Sequence, residues 1–520
     1  MDGQLSARLI RQLKSEGVDM NAMQQFLCDL NAGKFARTSP VQIAGVPSAM
    51  HPDIVDRASL QSYAIPRAAA AAKFRELDLP FQPESLAVPE DGNPDILRFP
   101  RGALARIGTA LYPKAAFGIL NGGSASSYAD EKKNRSLCPE VFRFYRAHFG
   151  AVSDNCKGRP KGITPAYFNP DGSPGASFLF LKLRMLLERK ADYAAAFGAL
   201  PEGILPAFQM TSVKTDGEIR AFLDSCRSDP DLLALSVPLR CAPLEMYTEV
   251  QPMMAALTHS ADGLPRRIFD RAYGEKDRGL AFPGGHGQNF AILAPVYRRL
   301  ARMGVRYVWL GNIDNLGYTV DPVSLAVFAL SGRDAAFETS FKTPMDVKGG
   351  LLVVTGTGRI TCADIGPAVS PEQMEQFSQE GGRLLFNCAI GLFDLQRLLP
   401  MLDSLPYRLP LRITDQDKDA GRYAQAEQLT WEIIGLLEKP LFFAVEKKKR
   451  FIASKMILEN LLTSLPDWFA SEPGFAGTPL HTLSLDLHAG LHDLLSQDYG
   501  MQMTDGVWRF AGARASRAPC

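Results

Sequence analysis

The sequence predicts an α/β fold in which a mixed or parallel sheet carries helices on both faces. Two observations carry this. Short apolar or β-branched runs (Ala115–Leu120, Ile204–Met210, Val305–Leu310, 336–342, Pro440–Val445) alternate with stretches of helical period. Several of those runs end directly in Gly-, Ser- or Asn-rich turns, the edge where open α/β sheets bind ligands. The clearest case is Phe282–Gly317. A Gly-rich turn (Phe282-Pro283-Gly284-Gly285-His286-Gly287) precedes an amphipathic helix with Phe290, Leu293, Val296, Tyr297, Leu300 and Met303 on one face. The strand Val305–Leu310 follows and ends in Gly311-Asn312-Ile313-Asp314-Asn315-Leu316-Gly317, a carboxylate and two amides at a strand terminus.

A chain of 520 residues is expected to form two or three domains. Its formal net charge of +1 gives no global reason for binding nucleic acid or an anionic membrane, so any phosphate site must be local. No apolar run approaches the ~18 residues of a membrane span. Met1–Asn31 is charged and amphipathic, without a secretory core, which makes cytoplasm the expected location. The eight cysteines show no CxxC spacing and read as reduced thiols.

In order, residues 1–110 read as a helical N-terminal extension, with an Ala-rich helix near 66–77. The proline-dotted stretch 79–99 is expected to be irregular and exposed. The strand at Ala115 runs into Asn121-Gly122-Gly123-Ser124-Ala125-Ser126-Ser127, whose N–H groups and hydroxyls would suit a phosphate. It lacks the GK[ST] of a Walker loop, and by itself a Gly-Gly turn is more often a plain turn. An inserted helix over 130–155 precedes Lys157-Gly158-Arg159-Pro160-Lys161-Gly162, either a solvated basic turn or a cationic clamp on a polyphosphate. A helix over 174–190 leads to the strand ending Met210-Thr211-Ser212. A helix over 215–227 and an apolar run near 232–238 continue the alternation.

Beyond the central unit, a helix is expected over 321–330, with strands over 336–342, 351–355, 359–365 and 383–390. Helices are expected near 391–402 and 421–438, then the run Pro440–Val445 and the basic stretch reaching Lys455. Residues 111–465 form the expected catalytic domain and 466–520 a small C-terminal one. His488 and His492, at i, i+4, could in principle hold a metal. Without an HExxH glutamate a surface or packed pair is the better reading.

Gly285-His286-Gly287, Asn312-Ile313-Asp314-Asn315-Leu316-Gly317, Asp346-Val347-Lys348-Gly349-Gly350 and Phe386-Asn387, in this order, resemble the UTP–glucose-1-phosphate uridylyltransferases and the related UDP-N-acetylhexosamine pyrophosphorylases. The resemblance covers roughly residues 113–460, and the Asn-Ile-Asp-Asn-Leu-Gly block favours the glucose branch. It implies a Rossmann-like nucleotidyltransferase (glycosyltransferase-A-like) sheet and uridylyl transfer from UTP to a sugar-1-phosphate. It also implies a Mg²⁺ ion on Asp314. Asn121, Gly122, Gly123, Met210, Thr211, Gly285 and His286 would meet the nucleotide; Asn312, Gly349 and Asn387 would meet the sugar. Lys161 and Lys455 would offset phosphate charge. Three departures stand out. Ala125 replaces the loop's third glycine. The Pro-Lys-Gly comes nearly forty residues after the glycines, with Lys132 and Lys133 nearer the family's interval. Cys388-Ala389-Ile390 replaces a second amide. The alternatives are an N-acetylhexosamine or broad-specificity pyrophosphorylase, and a sugar-nucleotide-binding protein without turnover.

Overall fold

The computed structural model describes residues 5–511 except 38–41, 49–50, 91, 344–345, 347–348, 367 and 382–383. The motif residues Val347 and Lys348 therefore lie outside the described residues. The main path of the large sheet contains β1 (Ile54–Asp56), β2 (Ala115–Leu120), β3 (Ala207–Ser212), β4 (Met246–Gln251), β5 (Tyr307–Asn312), β6 (Ala335–Phe341), β7 (Leu385–Asp394) and β8 (Pro440–Val445). Their spatial order is β1-β8-β6-β7-β5-β2-β3-β4. Every neighbouring pair is parallel except the two made by β7, which runs antiparallel between β6 and β5.

Burial explains the sequence pattern of these strands. Every residue of β2, β3 and β8 is buried, as a sheet covered on both faces requires, so they read as continuous apolar runs. On one face Phe117, Ile119, Tyr307, Trp309, Leu392 and Phe443 pack with the helices Arg101–Ala110, Phe178–Phe197 and Pro322–Ser331. On the other, Ala116, Val308, Leu310, Phe337, Phe393 and Phe442 meet the helix Ala294–Arg302 and the segment around Trp431. Among the described residues no helix is long and apolar enough to cross a membrane.

Four expectations are corrected. Residues 79–99 are not irregular: Val88–Glu90 and Asn93–Pro100 pair beside Ser62–Pro66, and Leu97 and Phe99 are fully buried. Pro83 opens a 3-10 turn, while Pro89 lies in an edge strand and Pro94 near a strand end, where a missing N–H is tolerated. The expected helix from 391 yields to β7, whose residues Gly391–Asp394 bond to β5 on one side and β6 on the other. Helix begins only at Leu395–Leu398, capped by Asp394, and runs on into a 3-10 turn, Leu399–Met401. The expected helix over 421–438 is a hairpin. Arg412–Lys418 pairs with Gly421–Glu427 across the two-residue turn Asp419-Ala420, and only a 3-10 segment, Thr430–Leu436, follows. The run 232–238 is helical (Pro230–Ser236), capped by Asp229, and the next strand is β4.

The N-terminal segment contributes strands as well as helices. β1 forms an edge of the large sheet, while helices Ala7–Ser15 and Met20–Asn31 lay Leu9, Leu13 and Met23 on Met253, Leu257 and Ala424. At the other end, Leu491, Leu494, Leu495, Tyr499 and Met501 join the same core as β2 and β5.

Candidate active site

The carboxyl ends of β2, β3, β4 and β5 carry most of the residues singled out in the sequence, and backbone bonds tie their loops together. The Gly-rich loop after β2 lies against the Lys161 segment. Ala125 N–H donates to Arg159 O (2.7 Å), Lys161 N–H donates to Gly123 O (3.0 Å), and Ser124 bridges Pro160. The intervening residues, expected as one inserted helix, form two: Glu131–Leu137 and Pro139–Cys156. Folding back on themselves, they return the chain to the loop despite its separation in sequence. Neither Gly122 nor Gly123 has positive φ, and neither does Ala125. A backbone without positive φ is one alanine adopts freely, so the departure from glycine leaves the turn undistorted. A Cβ on Gly123 would meet nothing within 4 Å, leaving open space above the loop.

Lys161 is buried. Its Nζ donates to Ser454 O (2.5 Å) and stands 3.2 Å from the centroid of the Tyr128 ring. Burial lowers its pKa to about 7, against the pull of Asp314 and Glu459. Lys133 instead reaches Ser127 Oγ (2.7 Å) from an exposed position. Ser454 N–H in turn donates to Asp314 O (3.2 Å). One bonded path thus runs from the Gly-rich loop through Lys161 and Ser454 to Asp314. The Asp314 carboxylate is half-buried and has no side-chain hydrogen bond or ion pair among the described residues. Asn312, at the end of β5, is likewise half-buried. Lys455, next to Ser454, is exposed; its backbone N–H caps on Glu459 Oε2 (2.7 Å) while its ammonium has no partner among the described residues.

Below the loop, Asn121 is fully buried. Its Nδ2 donates to Gln209 Oε1 (3.0 Å), whose own amide donates to Thr248 Oγ1 (3.0 Å), and Asn121 Oδ1 is left without a donor. Gly162 is required here, since a Cβ would come 2.4 Å from that oxygen. Met210 packs its side chain into the core, and Thr211 Oγ1 donates to Asp216 (2.8 Å). What these two offer is a backbone position: Met210 O accepts from Asn121 N–H (2.9 Å).

The Gly285 turn is held by Gln251, at the end of β4, whose Nε2 donates to Gly285 O (2.8 Å). Gly285 has φ +82°, and a Cβ would lie 2.4 Å from Gln428 O, so both backbone and space demand glycine. His286 Nδ1 accepts the Thr430 N–H (3.0 Å), which assigns the proton of the neutral ring to Nε2. Burial lowers its pKa to about 4, with Lys455 and Arg412 adding repulsion. His286 is therefore a neutral donor at pH 7, and its Nε2–H has no partner among the described residues.

Gly349 and Asn387 come together across β7. A Cβ on Gly349 would strike the Phe386 ring at 2.6 Å, and Gly350 faces Asn387. The Cys388-Ala389 departure is a β-bulge: Asn387 pairs with Thr339 and Ile390 with Glu338, while Ala389 takes φ +53°. Asn387 Oδ1 accepts from Ala389 N–H (3.0 Å). On this side Arg412 bridges Asp364 and Glu432 (2.7 Å to the latter). The residues missed in the sequence are Gln209, Gln251, Ser454, Tyr128 and Lys182. Gln251 ends a strand, Met-Tyr-Thr-Glu-Val-Gln, too polar to be read as buried; the others are meaningful only through long-range contacts.

A charged cavity of about 630 Å³ lies beyond the Thr319–Pro322 turn. Three of its four arginines are taken up by carboxylates, Arg57 by Asp321 (2.8 Å), Arg189 by Asp498 (2.5 Å) and Arg450 by Glu338 (2.6 Å), while Arg101 donates to Leu60 O (3.2 Å). The Gly-rich loop does not line it. Nor do the His488 and His492 rings, 4.2 Å apart, gather a third ligand: no group of three possible metal ligands occurs among the described residues.

The sequence model of the UTP–glucose-1-phosphate uridylyltransferase family matches residues 266–478, which hold Gly285, His286, Asp314, Asn387 and Lys455. A UTP–glucose-1-phosphate uridylyltransferase of Hordeum vulgare is 27% identical over 183 residues, 35% of this chain and 38% of that protein. One of Astragalus penduliflorus is 26% identical over 224 residues, 42% and 47% of the two. The chain thus spans less than half the length of these curated relatives. Two Trypanosoma brucei structures share the fold. The uridine diphosphate N-acetylglucosamine pyrophosphorylase has a TM-score of 0.55 at 16% identity, covering 94% of this chain and 91% of that one. The UDP-glucose phosphorylase has a TM-score of 0.52 at 18% identity, covering 88% and 77%. Residues 266–478 therefore carry the pattern of the UTP–glucose-1-phosphate uridylyltransferase family, on a mixed α/β sheet shared with UDP-sugar pyrophosphorylases.

Proposed function

We propose that this protein is a cytoplasmic uridylyltransferase that joins UTP and a sugar-1-phosphate, glucose-1-phosphate first, into a UDP-sugar and pyrophosphate. The observation that supports it most is the bonded path joining the Gly-rich loop, Lys161, Ser454 and Asp314 at one end of the sheet. A phosphate oxygen of the sugar-1-phosphate attacks the α-phosphorus of UTP, and the bond from that phosphorus to the β-phosphate bridging oxygen breaks. Such displacements need positioning and charge stabilisation more than covalent help.

The site's donors fit that task. Open N–H groups over Gly122–Ser124 receive the β- and γ-phosphates, with the Lys161 ammonium beneath them. The exposed Lys455 ammonium offsets charge on the sugar phosphate, and His286 Nε2–H donates to the substrates between them. Asp314 fits a Mg²⁺ ion: its carboxylate has no hydrogen-bond or ion-pair partner among the described residues, and Mg²⁺ commonly takes one or two carboxylates plus waters and phosphate oxygens. Bound there, the ion would screen the phosphates. With Ala125 undistorted, the argument for a protein without turnover loses its main support.

Pyrophosphate release with UTP, Mg²⁺ and a panel of sugar-1-phosphates tests this. Release with glucose-1-phosphate is expected. Release confined to an N-acetylhexosamine phosphate would move the sugar assignment to the sister branch, and silence with every sugar would overturn the reading.

A further inference from the structure

Resting on that reading, we propose that Lys182 and Tyr499 are positioning residues that clamp the turn carrying Asp314, making the C-terminal segment part of the active-site framework. Four carbonyls of this turn receive donors from outside it. Asp314 O accepts from Ser454 N–H (3.2 Å). Asn315 O and Tyr318 O each accept from Lys182 Nζ (2.7 Å), and Leu316 O accepts from the Tyr499 hydroxyl (2.6 Å). The third Lys182 proton goes to Tyr499 Oη (3.0 Å), so one ammonium and one hydroxyl form a closed unit against the turn.

The chemistry of this unit is unusual for mere packing. Lys182 is fully buried on the helix Phe178–Phe197, with no carboxylate at ion-pair distance among the described residues. Taking an ammonium out of water is costly unless every proton is satisfied. Here all three are satisfied, and two go to the turn that follows the catalytic strand. Tyr499 is itself fixed from behind: Arg184 Nε donates to Tyr499 O (2.8 Å) and Arg184 Nη2 to Ala511 O (2.6 Å). The turn is also stitched from the front, where Leu316 N–H donates to Ile452 O (2.8 Å) and Asn315 Nδ2 to Arg450 O (3.0 Å). The turn is thus held between the Lys455 segment and the chain's C-terminal residues. A carboxylate that must hold a metal against two phosphates benefits from such support, because a misplacement of about 1 Å can cost on the order of 10² in rate.

The test uses the full chain with Tyr499→Phe, which deletes only the hydroxyl, and Tyr145→Phe as its control. Tyr145 makes the same kind of buried bond, hydroxyl to Leu465 O (2.6 Å), away from the turn. Two readouts are taken: deuterium exchange of the 312–320 amides, and kcat and KM with UTP and glucose-1-phosphate. Tyr499→Phe is expected to speed exchange of that segment about tenfold and to lower kcat about tenfold, with KM for UTP within about twofold. Tyr145→Phe should leave both unchanged. If Tyr499→Phe matches the wild type within about twofold in exchange and kcat, the clamp is wrong. If the wild type turns over no sugar phosphate, the functional reading fails, and the exchange comparison still decides the clamp.

Discussion

Two lysines at this site are built in opposite ways. Lys161 is buried, bonded to Ser454 O and seated on the Tyr128 ring, on a segment stitched to the Gly-rich loop. Lys455, one residue beyond Ser454, is exposed, and its ammonium has no partner among the described residues. The first is preorganised, so little order need be gained when phosphates arrive, but its charge is fragile because burial opposes it. The second keeps its charge in water and must lose side-chain freedom on binding. Under the proposed function, the nucleotide-side groups would be held in place before the ligand comes, whereas Lys455 on the sugar-phosphate side would be ordered by the ligand itself.

The largest break in this contrast is expected from Asp314→Ala, which removes the group on which both sides converge. Turnover should fall by on the order of 10³ in a pyrophosphate-release assay, with an unchanged circular dichroism spectrum, because the carboxylate bonds to no side chain among the described residues. Lys161→Met should cost on the order of 10² in kcat/KM. The same lysine predicts a pH limb. With a pKa near 7 in the free protein, the ammonium is present below pH 7 and lost as pH rises through it. Since kcat/KM reports the free enzyme, it should decline above pH 7, and Lys161→Met should flatten that decline. His286, with its pKa lowered to about 4, should add no inflection between pH 5 and 8. Lys455→Ala should be milder, raising KM for the sugar phosphate by on the order of tenfold. Thermal stability should move by less than about 0.5 kcal/mol, since the ammonium bonds to no group among the described residues.

The smallest effect is expected from Ala125→Gly. Ala125 is fully buried among Tyr128, Val141 and Phe142 and does not use positive φ. Restoring the family's glycine should leave kcat within about twofold while costing about 1 kcal/mol of stability, read by denaturant titration.

Much of the fold was legible because strands covered on both faces become uninterrupted apolar runs, as in Ala115–Leu120 and Pro440–Val445. The turns after them announce themselves through glycine and amides. Where the reading failed, tertiary pairing overruled local pattern. Gly421–Glu427 carries alanines and a glutamate that suit a helix, yet it pairs with Arg412–Lys418 and buries Tyr423, Ala424 and Ala426 on Leu257 and its neighbours. Gly391–Asp394 follows a strand closely enough to look like the next helix. Its position between β5 and β6 gives it bonding partners on both edges.

The sequence alone determined the chemistry on offer: a Gly-rich turn, a carboxylate after a strand, a basic segment and the order of motifs that carries the family resemblance. Only the tertiary structure decided that Lys161 meets that turn, that Ala125 needs no glycine, and that Lys182 and Tyr499 stand behind Asp314. The physical reason is the same in each case. These relations depend on backbone carbonyls and donors brought together from distant parts of the chain, and a carbonyl oxygen is alike at every residue until the fold chooses its partner.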